Sequence, residues 1–223
     1  MINMSNEQEK KKVAEAALDY VESSDVIGLG TGSTTNFFIE NLIKLKNKLD
    51  GVVVSSKSTA KRISAIGIPI FELNAIGHLP LYVDGADEAV KSSLYVIKGG
   101  GGALTREKIV AAASQKFVCM VDSSKISDVL GSFPLPIEVI PMARGLVSRQ
   151  LVARGGTPEL HEKFITDNDN LILRVRNLDL TNPLTFEQEL NNIPGVVENG
   201  IFAQRRPDVL MIGTQFGVET VTI

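Results

Sequence analysis

The chain has 223 residues, 43% of them apolar and 22% charged, and a formal net charge of −3. That is enough for one sizeable core, or for one domain carrying a smaller second one, and the mild acidity argues against the basic face of a nucleic-acid binder. A single cysteine, Cys119, excludes an intrachain disulfide, and no apolar run approaches the length of a membrane span.

The first dozen residues are polar and charged, unlike a signal peptide, so a cytoplasmic location is expected. Val13, Ala17 and Val21, with Leu18 and Tyr20, mark one face of a helix. Just ahead of them, Lys10-Lys11-Lys12 reads as a solvated first turn rather than a phosphate contact. Val26-Ile27-Gly28-Leu29 predicts a buried strand followed by a Gly/Ser/Thr loop. Phe38, Leu42, Leu45 and Leu49 predict a helix ended by Gly51, and Val52-Val53-Val54 a second strand. Ser58 is the expected cap of a short helix that ends near Gly67. Residues 68–71 read as an edge strand because of Pro69. Leu81-Tyr82-Val83 is another strand, running into Asp84. Residues 94–97 lead as a strand into four glycines. Thr105 is the expected cap of a helix over 106–113. Phe117-Val118-Cys119-Met120-Val121 reads as a buried strand in which Cys119 behaves as a small hydrophobe.

Beyond Gly131 the pattern changes. Phe133-Pro134-Leu135-Pro136 reads as a stiff connector, 137–140 and 171–175 as strands, and 145–153 as a helix. Thr185-Phe186-Glu187-Gln188 has the form of a capping box opening a helix, and 195–203 is strand-like. Residues 209–212 and 218–223 read as strands returning to the main sheet. Apolar, β-branched strands alternating with helices predict an α/β fold with a largely parallel sheet covered on both faces. The expected division is a main domain at 1–130 plus 206–223, with a smaller inserted α+β domain at 131–205.

In parallel sheets ligands bind beyond the carboxyl ends of the strands. Polar clusters fall there at 30–35, 84–88, 98–105 and 122–125. Gly28-Leu29-Gly30-Thr31-Gly32-Ser33-Thr34-Thr35 is a glycine turn opening a helix, where backbone N–H groups and the helix dipole favour an anion. A dinucleotide fingerprint fails, because Ser33 stands where the third glycine belongs and Ser55-Ser56-Lys57 where an acid is needed. A P-loop ending is absent. A small phosphate fits better; a tight turn without a ligand is the alternative. Asp84-Gly85-Ala86-Asp87-Glu88 holds three carboxylates, costly after a buried strand unless solvated, paired or used. A metal is ranked below charge balance by the nearby lysines.

The segment from Lys98 to Lys108 contains the four glycines, which are entropically expensive to order. Between a strand and a helix they let backbone approach a ligand closely. Glu107, in the first helical turn, is favoured as an anion by the dipole. Taken alone it reads as a helix-terminus charge. Aldose–ketose isomerisation needs a base, a cation for the enediolate oxygen and a phosphate grip. Glu107, Lys98 and the Ser33/Thr34 turn meet these needs in that order. His78 and His161 lie outside the clusters. Glu198-Asn199-Gly200 reads as a hairpin turn, Asp167-Asn168-Asp169-Asn170 as a turn lacking the other calcium ligands, and Arg205-Arg206 as a solvated connector.

Together these segments resemble the ribose-5-phosphate isomerase A family. The likeness extends to Val121-Asp122-Ser123-Ser124-Lys125, to 134–144 and to Ile193-Pro194-Gly195-Val196-Val197. It implies a Rossmann-like main domain with a small α/β domain. It also implies interconversion of D-ribose 5-phosphate and D-ribulose 5-phosphate through an enediol(ate), in the non-oxidative pentose phosphate pathway. No metal or organic cofactor is implied. Glu107 matches the family's proton-abstracting base. Thr31, Gly32, Ser33 and Thr34 match its substrate-binding positions, as do Asp84, Gly85, Ala86 and Asp87. So do Lys98, Gly99, Gly100, Gly101 and Lys125. Asp84, Asp87 and Lys98 are expected to hold sugar hydroxyls, assist ring opening and steady the oxyanion. The implied partners are a small sugar phosphate and further copies of the chain, as homodimer or homotetramer, with no nucleic acid or membrane. Two other readings compete. One is a sugar-phosphate sensor, which needs a DNA-binding domain where only about two dozen residues precede the first strand. The other is a different isomerase or a CoA transferase on the same scaffold.

Overall fold

A computed structural model of the chain describes residues 6–23 and 25–223; residues 1–5 and 24, within the expected main domain, lie outside the described set. The elements run α1 (Asn6–Ala16), β1 (Val26–Leu29), α2 (Ser33–Leu42), β2 (Gly51–Val54), α3 (Lys57–Ile66), α4 (Leu73–Ile76) and β3 (Leu79–Gly85). Then come β4 (Glu88–Ala89), β5 (Val96–Ile97), α5 (Leu104–Ala112), β6 (Ser114–Asp122), β7 (Leu135–Val139), α6 (Arg144–Val152), β8 (Thr157–Leu160) and β9 (Leu171–Arg176). The chain closes with α7 (Pro183–Asn191), β10 (Val196–Asn199), β11 (Ile201–Phe202), β12 (Val209–Thr214) and β13 (Gly217–Thr222).

The main sheet has six strands in the order β13-β12-β6-β3-β1-β2. Every neighbouring pair is parallel except β12–β13, an antiparallel hairpin at the edge. Its strands read as unbroken apolar runs because both faces are buried. Val118, Met120, Val209 and Met211 face a core shared with α1 and α2. The alternate residues Phe117, Cys119, Val121, Leu210 and Ile212 face a second core, shared with α5. A separate four-stranded antiparallel sheet, β10-β7-β9-β8, buries Ile137, Val139, Leu173 and Val175 against Val147, Leu151 and Leu190 of α6 and α7. A three-stranded sheet, β11-β5-β4, stands between the two.

Several local expectations are corrected. Residues 68–71 make only a single bridge, Ile70 with Val52; Pro69 contributes a carbonyl to Val52 N–H but has no N–H to extend a ladder. The helix of Phe38 stops at Leu42 and passes into a 3₁₀ turn, and Gly51 opens β2 instead of closing that helix. Ser56, not Ser58, caps α3, accepting the Thr59 N–H at 3.0 Å. Ala103, not Thr105, is the N-cap of α5. α7 begins at Pro183, so Thr185 lies inside its first turn and forms no capping box. Residues 195–203 split at Gly200 into strands of two different sheets, so 198–200 is not a hairpin. Gly200 N–H donates to Pro136 and its carbonyl accepts from Lys98, which leaves no room for a Cβ. Arg205 is no free connector, since it donates to the Ala111 and Ser114 carbonyls. The strand β8 went unpredicted because Pro158 and its alternating half-exposed surface hide it.

α1 is seated by its own backbone. A Cβ at Gly213 of β12 would run into the Glu9 main chain, and the buried Glu9 carboxylate takes Ser123 N–H and Oγ at 3.0 and 2.7 Å. Gly213→Ala should push α1 off the sheet and cost about 1–3 kcal/mol; urea denaturation with an unchanged free energy would contradict this packing.

Candidate active site

The carboxyl ends of β1, β3 and β6 are neighbours in the main sheet, and they deliver Thr31, Asp84 and Lys125 to one place. Lys98 arrives separately, from β5 of the small sheet, and the glycine run carries the chain across to α5 and Glu107. These segments enclose a cavity of about 110 Å³, below the roughly 300–1,000 Å³ of pockets for drug-sized ligands. Thr31, Gly32, Ser33 and Thr34 form one wall, Gly85, Ala86 and Asp87 a second, and Lys98, Gly99, Gly100 and Gly101 a third. Glu107 and Lys125 complete it. The sequence-predicted residues therefore meet, with one exception: Asp84 lies beneath the wall.

Asp84 is fully buried and every face of its carboxylate is occupied. Oδ1 accepts from Thr31 N–H at 3.0 Å, Thr35 Oγ1 at 3.0 Å and Gly85 N–H at 2.7 Å. Oδ2 accepts from the Tyr82 hydroxyl and pairs with Lys98 Nζ, both at 2.5 Å. Gly30 is a glycine because any Cβ there would collide with this carboxylate. Burial and the neighbouring Asp84 and Glu107 charges push the Tyr82 phenol well above its ordinary range, so it remains a donor.

Lys98 is 1% exposed. Its ammonium pairs with Asp84, donates to the Gly85 carbonyl at 2.6 Å, and lies 3.3 Å from Glu107 Oε2. Burial alone would depress its pKa, but the Asp84 and Glu107 carboxylates reverse that and hold it above the usual lysine value. Glu107 is 2% exposed. Burial raises its pKa first and foremost; Lys98 pulls it down, and Asp84 and Asp87 push it up again, so it sits above the carboxylate range. Its Oε2 is an ion-pair partner of Lys98 without the alignment of a hydrogen bond, and it accepts none elsewhere. The site thus holds a permanent cation beside a carboxylate with a free oxygen and a raised affinity for a proton.

At the other end, α2 begins at Ser33 with no side-chain cap on its first turn. Lys10 Nζ stands 3.1 Å from Ser33 Oγ and 3.8 Å from Asp122 Oδ2. The Lys125 ammonium lines the same cavity and acts on Asp87 through its charge. Lys10, Lys125 and the helix N-terminus together favour an anion. Lys10 lines the cavity, which the solvated-turn reading missed. A signal was present: Lys10 lies three and four residues before Val13 and Ala14, on the flank of the buried face of α1.

Other members of the clusters serve the fold. Glu88 accepts the N–H groups of Gly131, Ser132 and Phe133 at 3.0–3.1 Å and anchors that bend. The Thr31 hydroxyl turns away to Ser55, Ser56 and Thr59. Asp87 takes the Gly100 N–H at 2.7 Å; burial raises its pKa, against that hydrogen bond and the Lys98 and Lys125 charges. Gly99 and Gly102 hold φ of +92° and +81°, a region that favours glycine. Gly101 needs neither that φ nor the space, since a Cβ there meets nothing within 4 Å. Among the described residues no group of three or more His, Cys, Asp or Glu could hold a metal ion, and no helix is long and apolar enough to cross a membrane.

A buried carboxylate beside a cation, with further lysines and a helix N-terminus on the same small cavity, suits the class of phosphosugar aldose–ketose isomerases. The family model of ribose 5-phosphate isomerase A (phosphoriboisomerase A) matches residues 51–217, and the chain belongs to that family. It is similar to the structure of ribose 5-phosphate isomerase A from Neisseria gonorrhoeae, at 47% identity over 99% of this chain and 98% of that one, with a TM-score of 0.96. The enzyme of Methanocaldococcus jannaschii is 40% identical over 98% of this chain and 100% of that one, at a TM-score of 0.92. A D-ribose-5-phosphate isomerase in complex with phospho-erythronic acid is 38% identical over 99% and 100%, at a TM-score of 0.93. The chain is an isomerase that interconverts ribose 5-phosphate and ribulose 5-phosphate.

Among the described residues nothing within 4 Å requires glycine at position 101, and a ligand passing close to this cavity-lining backbone would supply a reason for it. Gly101→Ala should raise KM for ribose 5-phosphate with an unchanged melting temperature. An unaltered KM would remove that reason.

Proposed function

We propose that Glu107 is the proton-transferring base of the isomerisation and Lys98 its electrophilic partner. The observation that carries this reading is the buried Lys98–Glu107 pair, 3.3 Å apart, opening on a small cavity. Glu107 removes the C2 proton of the open-chain aldose and returns it to C1 of the enediol(ate), while the O2 hydroxyl proton passes to O1, so that no atom is gained or lost. The ammonium of Lys98 faces the oxygen on which charge develops, in a site where a fixed cation counts for more than it would in water. Asp84 touches no substrate; it keeps Lys98 charged and ties the first glycine loop to the second. Asp87, half-buried at the cavity wall, takes a sugar hydroxyl and assists ring opening.

The phosphate takes the seat made by the N–H groups of Gly32, Ser33 and Thr34 with Lys10 and Lys125. Phospho-erythronic acid, bound by a relative, has a phosphate at one end and a planar carboxylate at the other, a shape that matches this division of the cavity. No metal is required, because Lys98 provides the positive charge. We extend the proposal to a cytoplasmic homodimer, and to a division of the chain at 1–130 plus 206–223 and 131–205. The core under the four-stranded sheet, which is drawn mostly from 135–203 and also takes in Val90, Ile97 and Leu130, supports that division.

In EDTA-treated protein, Glu107→Gln should lower kcat by about 10²–10⁴-fold, with binding of the substrate largely kept; full turnover in that variant would refute the base assignment. The base acts in its ionised form, and burial raises its pKa. Activity is therefore lost as pH falls through that raised value, and the acid limb of kcat/KM should lie above the ~4.3 of an ordinary glutamate. A limb at or below that value would contradict the environment described for Glu107.

A further inference from the structure

The helix that carries Glu107 starts in an awkward place. α5 follows directly on the glycine run, whose residues have no side chains to hold it, and its N-cap Ala103 makes no capping hydrogen bond. Core packing of Leu104, Val110 and Ala111 seats the helix, and polar ties from outside bear on its first turn. Three residues flanking Glu107 are each tied to the segment 138–201. Thr105 Oγ1 donates to Glu138 Oε2. Arg106 donates to Asn168 Oδ1 and the Asp167 carbonyl, both at 2.8 Å. Lys108 Nζ binds Glu187, Glu198 and the carbonyls of Asn199 and Ile201 at 2.7–2.9 Å. Side chains on a helix turn by ~100° per residue, so Glu107 points elsewhere, toward Lys98.

Glu138 is the centre of the first two ties. It lies on β7, between β10 and β9, with no exposed surface. A buried carboxylate is costly unless its oxygens are satisfied. Its Oε1 accepts from Thr166 Oγ1 at 2.8 Å, Asn170 Nδ2 at 2.9 Å and Asn168 Nδ2 at 3.1 Å. Asn168 is thus a bridge, with its amide nitrogen on Glu138 and its oxygen on Arg106. The same turn reaches α3, where Asp167 Oδ2 takes the Lys57 N–H at 2.7 Å. Every hydrogen bond to Glu138 leads either to the first turn of α5 or to the turn that grips it. None of these residues lines the cavity.

We propose that Glu138 is a positioning residue for the isomerisation. With Thr105 and the 166–170 turn it fixes the first turn of α5 and hence the place of Glu107, an inference that rests on Glu107 being the base. The Asp167-Asn168-Asp169-Asn170 motif finds its use as the other half of this clamp. Displacing a reacting group by about 1 Å can cost on the order of 10²-fold in rate, so the clamp acts on kcat. The phosphate seat is built on α1, α2 and residues 123–125, and substrate affinity should be spared.

The test compares Glu138→Gln, Thr105→Val and Glu107→Gln as full-length proteins, with kcat, KM, pH profiles and melting temperatures. In Glu138→Gln the carbonyl can keep the Thr166, Asn168 and Asn170 donors, but an N–H₂ stands where Oε2 accepted from Thr105, so the tie to α5 is weakened and kcat should fall by roughly 10–10²-fold with KM nearly constant. Lys98, Asp84 and Asp87 are the charged groups facing Glu107. A Glu107 that drifts from Lys98 loses its one favourable neighbour, so the acid limb should move to higher pH. Thr105→Val, which disturbs only the α5 end of the clamp, should change both quantities in the same direction, and Thr105→Ser should restore them. A folded Glu138→Gln or Thr105→Val protein with wild-type kcat and acid limb overturns the proposal. So does a lowered melting temperature with unchanged turnover, which would make the clamp purely structural. If Glu107→Gln itself keeps full activity, the base assignment falls and the positioning role with it; if only Glu107→Gln is inactive, the positioning role alone falls.

Discussion

Burying the Lys98 ammonium is costly, and much of the site follows from what offsets that cost. A lysine out of water tends to give up its proton unless opposite charge lies beside it. Asp84 supplies that charge from the end of β3, and its remaining lone pairs are taken by Tyr82, Thr31, Thr35 and Gly85. With Asp84 committed to Lys98, a second carboxylate beside the same cation is less fully stabilised as an anion. That second carboxylate is Glu107: burial above all raises its pKa, Lys98 offsets this only in part, and the Asp84 and Asp87 charges raise it again. Burial beside a cation already paired with another carboxylate thus leaves Glu107 with a raised affinity for a proton.

The three sheets divide the work around that pair. The main parallel sheet brings Asp84, the glycine turn at Gly30 and the 123–125 turn to one edge, because β1, β3 and β6 lie side by side and run the same way. The three-stranded sheet introduces Lys98, whose N–H donates to the Gly200 carbonyl while the preceding Ile97 carbonyl accepts from the Asp87 N–H. The four-stranded antiparallel sheet stays out of the cavity and holds α5 from behind. Exposed helix and strand ends are where such a site can be adjusted with least disturbance to the cores.

Much of the site was legible before the fold, since the polar clusters fall at strand ends, where open α/β sheets bind ligands. The glycines were readable only as a group. The structure separates them into two with left-handed backbone, Gly99 and Gly102, one crowded by Asp87, Gly100, and one with no internal constraint, Gly101. Lys10 was hidden inside a lysine run whose neighbours are solvated. Asp84 was expected to bind substrate; it stands behind the cavity wall, paired with Lys98, a depth that alternating strand residues do not reveal. Thr105 and Ser58 carried capping signals one or two residues away from the true helix starts, where backbone geometry and not residue preference set the boundary.

The sequence by itself determined the parallel sheet, through continuous apolar strands that must be covered on both faces, and the residue types of the chemistry, through their placement after those strands. It also carried the family resemblance. Only the tertiary structure decided how those residues act. Which carboxylate keeps Lys98 charged and which is left with a free oxygen depends on distances between segments remote in the chain. So does the use of Glu138 and the 166–170 turn, whose ties to α5 span some thirty to sixty positions along the sequence. Local pattern sets what a segment can bury; long-range contact sets the electric field and the geometry in which a given acid works.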